Sequence, residues 1–138
     1  PTRATGRPDR SGRRCASASL SSDLRHHPVS YFTLPIIEGY DRDRFEIYCY
    51  SWNSSGEDAV QRLIAGKVDA FRLEPGIADR SAAELIARDG VDILFELGGT
   101  TAMNRLQVMS WRPARLQASW LGYPHSSGLG TIDYILVD

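Results

Sequence analysis

Residues 81–100, SAAELIARDGVDILFELGGT, hold a helix, a strand and a glycine turn in immediate succession. Ser81 with Glu84 three residues on has the spacing of a capping box. Ala82, Leu85 and Ile86 supply an apolar stripe at helical period, and Asp89–Gly90 is a stop signal. VDILFEL at 91–97 is an apolar run of strand length, as expected of a strand buried in a sheet. Gly98 and Gly99 then fall at the carboxyl end of that strand, which is where open α/β sheets place their ligands.

The same alternation continues on both sides. FEIYCYS at 45–51 alternates at period two and predicts a strand, and the polar loop SWNSSGED follows it. Ala59, Leu63 and Ile64 form a short helical face ending near Gly66, and DAFRLE reads as the next strand. Upstream, SSDLRHHPVSYFTLPIIEGY predicts a loop that enters a helix near Pro28. Val29, Phe32 and Ile36 would lie on one side, Gly39 would end it, and Pro35 threatens its interior. Downstream, a helix through Leu106 and Met109 stops before Arg112 and Pro113. LQASWLG at 116–122 is a strand, YPHSSGLG a glycine-rich loop, and DYILVD a last strand. Strands alternating with helices at this spacing predict an α/β fold with a parallel sheet.

A length of 138 residues with 42% apolar side chains suits one globular domain. No apolar run is long enough to span a bilayer, and the arginines at the start have no apolar segment after them, so the expectation is a cytoplasmic protein without membrane contact. Cys15 and Cys49 lack metal or redox spacing, and no grouping of His, Cys, Asp and Glu predicts a metal site. The net charge of −1 conceals a segregation: residues 1–19 hold five arginines and Asp9, which leaves the remainder at −5. An acidic body argues against a nucleic-acid partner, despite the basic start.

Residues 1–19, PTRATGRPDRSGRRCASAS, have no hydrophobic period and read as disordered or out of frame, with the ordered domain spanning 20–138. Codons CGC-TGC-GCG-TCG-GCT-TCC would encode residues 14–19 as they stand, and the frame starting one base earlier reads Pro-Leu-Arg-Val-Gly-Phe, a good buried first strand. A strand is otherwise missing in front of the helix entry at Pro28.

In a parallel sheet every turn that follows a strand lies on one edge, so the turns at 21–28, 98–105 and 122–130 should converge on one crevice. Asp23 and His27 sit four residues apart around the helix entry. Asp23 is either an N-cap beside an exposed histidine or a carboxylate partner of an imidazole that can act as a base or bind a sugar or phosphate. His26 has no evident partner and should face solvent. Gly98, Gly99, Thr100 and Thr101 make either a tight turn or a set of donors for sugar and phosphate oxygens. Arg105 is an exposed helix arginine or an anion anchor. The turn after Trp120 is a rigid turn or a ligand contact.

Taken in order, SSDLRHHPVSY, RFEIYCYS, DGVDILFELGGTTAMNRL, WRPARLQASWLGYPHSSG and IDYILVD resemble the catalytic region of the O-GlcNAc transferase (SPINDLY-like) family over about residues 20–138. The resemblance implies one Rossmann-like half of a two-domain glycosyltransferase of the GT-B type, in a family whose members usually carry tetratricopeptide repeats upstream, and it leaves open whether this parent has them. Its implied chemistry is inverting and metal-independent: GlcNAc moves from UDP-GlcNAc to Ser or Thr hydroxyls of proteins, without a cofactor. His27 and Pro28 match the family's active-site His-Pro, and Asp23 the acidic residue before it. Leu121 and Gly122 match positions near the donor, and Thr101 and Arg105 match polar residues of the cleft. Val29 replaces a common hydroxyl residue, and Thr100 a common histidine or tyrosine. The uridine and diphosphate contacts are expected from a second domain that these residues do not include, so this half alone is expected to be inactive. The alternatives are a non-catalytic α/β binding module and an inactive truncated product. The resemblance leaves open whether fucose replaces GlcNAc and whether His27 is base or positioning group.

Overall fold

A computed structural model describes residues 12–98, 105–120 and 128–137. The elements run β1 (Cys15–Leu20), α1 (Pro28–Gly39), β2 (Phe45–Ser51), α2 (Ala59–Lys67), β3 (Ala70–Leu73), α3 (Asp79–Asp89), β4 (Ile93–Glu96), α4 (Gln107–Ser110), β5 (Leu116–Trp120) and β6 (Tyr134–Leu136). All strand pairings are parallel, in the order β3-β2-β1-β4-β5-β6. This is the expected Rossmann-like α/β sheet.

The domain boundary at Leu20 needs correction. CASASL at 15–20 is a strand, and it is the central one: Ser17 lies level with Ile47 of β2 and with Ile93 of β4. Alanine and serine have little preference for strands, but pairing on both edges outweighs propensity at the centre of a sheet. Ala16, Ala18 and Leu20 alternate into one core, where Ala18 and Leu20 pack with Tyr50, Ala82, Ile86, Leu94 and Met109 beneath α3 and α4. The opposite face carries Leu24, Val29, Ile37, Cys49, Ile64 and Leu97 beneath α1 and α2. On this side β1 carries Cys15, Ser17 and Ser19, and a cavity of about 190 Å³ lies beside the two serines, walled by Thr33, Ile37, Phe95 and Trp120 among others.

Three helix expectations also shift. α1 runs through Pro35, yet it buries Val29, Ser30, Thr33 and Ile37, while Phe32 and Ile36 are exposed. The buried stripe thus includes hydroxyl residues that an apolar count passes over. Thr33 Oγ1 donates to the Val29 and Ser30 carbonyls, which satisfies it inside the core. In α2 the buried face is Gln61 and Ile64, with Leu63 turned outward. α3 starts at Asp79, so Ser81 lies inside the helix and caps nothing; Gly90, in the left-handed conformation, ends it as expected.

Among the described residues, no helix is long and apolar enough to cross a membrane.

Candidate functional site

The sheet adds β2 and β3 on one side of β1, and β4, β5 and β6 on the other. Such a reversal opens a crevice at the carboxyl ends of the two strands that flank it, here β1 and β4. The segment 21–27 leaves β1 on one wall, and Leu97–Gly98 leaves β4 on the other.

The first wall is held by side chains acting on backbone. The Ser21 hydroxyl accepts the Asp23 N–H at 2.9 Å, and the buried Ser30 hydroxyl donates to the carbonyls of Asp23 and Arg25 at 3.0 and 2.6 Å. Leu24 is fully buried in the same apolar cluster as Leu97, so the two walls share packing. Asp58, the N-cap of α2, accepts the Gln61 N–H and the His26 N–H, each at 2.8 Å. The turns after β1 and β2 are thereby tied together. The same two N–H groups, with Gln61 the larger influence, hold the Asp58 carboxyl below the usual carboxylate range.

His27 is the N-cap of α1, in extended conformation, with Pro28 directly after it. Proline is well suited there because its missing N–H is one of the helix's unpaired donors in any case. The His27 Nδ1 accepts the Val29 N–H at 3.2 Å. A neutral imidazole that uses Nδ1 as an acceptor carries its proton on Nε2. That Nε2 stands 3.8 Å from Asp23 Oδ2, within ion-pair range but too far for a hydrogen bond. Asp23 also lies 3.6 Å from the Arg25 guanidinium. The structure thus gives the cap to the histidine and sets the aspartate beside its ring, which corrects the reading of Asp23 as N-cap. Both side chains are partly accessible to solvent.

His26, expected to lack a partner, meets the Tyr31 hydroxyl through Nε2 at 3.3 Å on the exposed surface. Arg105 departs further from expectation. Its Nε donates to Asp79 Oδ1 at 2.7 Å, Nη2 donates to the Ile77 carbonyl, and the guanidinium lies 5.0 Å over the Trp52 ring. These contacts join the entrance of α4 to the entrance of α3, and the side chain is only 21% exposed, not the exposed helix arginine of the alternative reading. Thr101, Leu121 and Gly122, with Gly99 and Thr100, lie outside the described residues.

Sequence reading passed over two residues here. Asp58 with Gln61 three residues on has capping spacing, a signal that was available. Glu96 is the one acidic side chain in the apolar run 93–97, and it is 2% exposed, with Oε1 accepting the Gly98 N–H at 2.5 Å.

The chain resembles known proteins across nearly its whole length. It is 35% identical over 128 residues to the UDP-N-acetylglucosamine–peptide N-acetylglucosaminyltransferase of Caenorhabditis elegans, covering 92% of this chain and 11% of that protein. It is 37% identical over 122 residues to the probable transferase SPINDLY of Oryza sativa subsp. japonica, covering 86% of this chain and 13% of the relative. The chain therefore spans only about a tenth of these curated relatives. A solved structure of a mutant O-GlcNAc transferase from Thermobaculum terrenum superposes with a TM-score of 0.85 at 37% identity, over 90% of this chain and 24% of that one. The model of glycosyl transferase family 41 matches residues 4–138, and the chain belongs to that family.

Proposed function

We propose that this chain forms the β1/β4 crevice half of a protein O-GlcNAc transferase, which moves N-acetylglucosamine from UDP-GlcNAc to Ser or Thr hydroxyls of proteins. The carrying observation is His27 at the mouth of the crevice, its ring oriented by the cap to Val29 and flanked by Asp23. Family membership supports the same chemistry.

In the reaction an acceptor hydroxyl oxygen forms a bond to the anomeric carbon as the bond from that carbon to the diphosphate oxygen breaks. UDP departs, and the hydroxyl proton passes to a base or through water to solvent. No cofactor or metal takes part in this reading. His27 in its capped form offers Nε2–H, a donor, so it suits holding a sugar or phosphate oxygen better than removing a proton.

Titration of the chain with UDP-GlcNAc, UDP and GDP-fucose, followed by backbone amide shifts, tests the reading. Shifts that localise to residues 21–29 and 96–98 with UDP-GlcNAc support it. A response to GDP-fucose in preference would assign fucose as the sugar, and shifts confined to residues away from 21–29 and 96–98 would remove the crevice as a donor site.

A further inference from the structure

The helices cover the two faces of the sheet unequally. α3 and α4 lie over one face, and α1 and α2 over the other, where α2 sits toward β3. On the α1 face the strand register sets Ile93 and Phe95 of β4, Leu116 and Trp120 of β5, and Tyr134 and Leu136 of β6 on one floor. None of these side chains is charged, and Leu116, Tyr134 and Leu136 are 43%, 60% and 44% exposed. Parallel sheets are normally covered on both faces, so this floor lacks a layer. From β4 to β6 it spans two strand spacings, about 10 Å, which is the diameter of one helix.

α1 forms the wall of that floor. Its outward positions Pro28, Tyr31, Phe32, Pro35 and Ile36 repeat at the spacing of an apolar stripe, the pattern a helix ordinarily turns toward a core. Phe32 and Ile36 are 60% and 50% exposed, and Ile36 lines the cavity together with Trp120 and Leu136. An apolar ridge and an apolar floor one helix wide thus lie side by side, meeting at Ile36.

We propose that a second copy of this chain covers this surface, in a two-fold dimer in which α1 of each copy lies on the β4–β6 floor of the other. A two-fold axis close to Ile36 seats both ridges at once and closes the assembly at two copies. The exposed parts of Tyr31, Phe32, Ile36, Leu116, Tyr134 and Leu136 come to roughly 550 Å² per copy, so the pair would bury about 1,100 Å², enough for a specific interface of modest strength. This inference is independent of the transferase reading.

Sedimentation equilibrium of the 138-residue chain tests it. The expected result is a species of twice the 15.3 kDa chain mass at about 100 µM. Phe32→Glu and Leu136→Lys each place two charges in the dimer, one per copy, and should weaken self-association by at least about tenfold while the circular dichroism of the monomer is unchanged. A second measurement guards against a variant that fails to fold. In a Cys15→Ser background, Ile36→Cys should cross-link to its own counterpart on oxidation, whereas Glu84→Cys, on α3 across the sheet, should not. A monomer at that concentration overturns the proposal. So do a dimer that survives both charged variants, association that continues beyond two copies, and equal cross-linking from positions 36 and 84. A dimer lost with Ile135→Pro but kept with Phe32→Glu would mean pairing along the β6 edge and overturns it as well.

Discussion

The Nδ1 of His27 accepts the backbone N–H of Val29 at 3.2 Å, so this imidazole is the cap that starts α1. One nitrogen is occupied by structure, and the other stands 3.8 Å from Asp23 Oδ2.

That division of labour predicts a single tautomer. Nitrogen-15 shifts of the neutral imidazole should show His27 protonated at Nε2 and bare at Nδ1. His27→Asn keeps both a cap acceptor and an N–H donor and should retain the wild-type stability. His27→Ala should lose about 1 kcal/mol. A ring protonated at Nδ1 would refute the capped geometry and return His27 to the list of bases.

Asp58 performs two tasks, capping α2 and holding the His26 N–H. Its folded pKa lies below the unfolded value, so its contribution is fully present above the unfolded carboxylate pKa of about 3.9 and is lost as pH falls through the lower folded value. Asp58→Asn retains a capping oxygen and should flatten that acid dependence while costing little at pH 7. Asp58→Ala should cost about 1 kcal/mol at pH 7. Acid unfolding curves of the two variants check both.

The Arg105–Asp79 pair, at 2.7 Å, is the structure's alternative to an anion anchor. A double-mutant cycle of Arg105→Ala and Asp79→Ala should show a coupling of about 1 kcal/mol in urea unfolding. Additive losses would mean that the guanidinium is free for other work. Arg105→Lys should recover only part of the coupling, since the ammonium cannot match the planar fork that also reaches Ile77 and covers Trp52.

The cavity beside Ser17 and Ser19 should be fillable. Ser17→Val with Ser19→Phe adds apolar volume on the α1 face of the central strand, and a gain of about 0.5–2 kcal/mol is expected in chemical unfolding. These are the residues that the frame one base earlier places at the two positions. Resequencing the coding DNA across residues 14–19 tests that reading: an unaltered frame would leave the cavity as a property of the native strand, and a stability loss in the variant would show overpacking.

Cys49 is fully buried in the core, and burial pushes its thiol up to about 12. Cys15 is only partly buried. Alkylation near pH 8 should therefore modify Cys15 first and reach Cys49 only on unfolding. Equal rates at the two sites would contradict the packing beneath α2.

The alternating pattern of strands and helices, the parallel sheet and the family were legible in the chain, because periodicity reports which faces are buried. VDILFEL and SAAELIARDG identify their elements without knowledge of neighbours. Local patterns also brought Asp23 and His27 to one helix entry, since residues four apart meet there. CASASL did not read as a strand, because alanine and serine become strand residues only when β2 and β4 pair with them from both sides. The same holds for the outward turn of Phe32 and Ile36, the pairing of Arg105 with Asp79, and the burial of Glu96 between Leu20 and Ser119. Each depends on a partner distant in sequence, and folding alone brings those partners within bonding range.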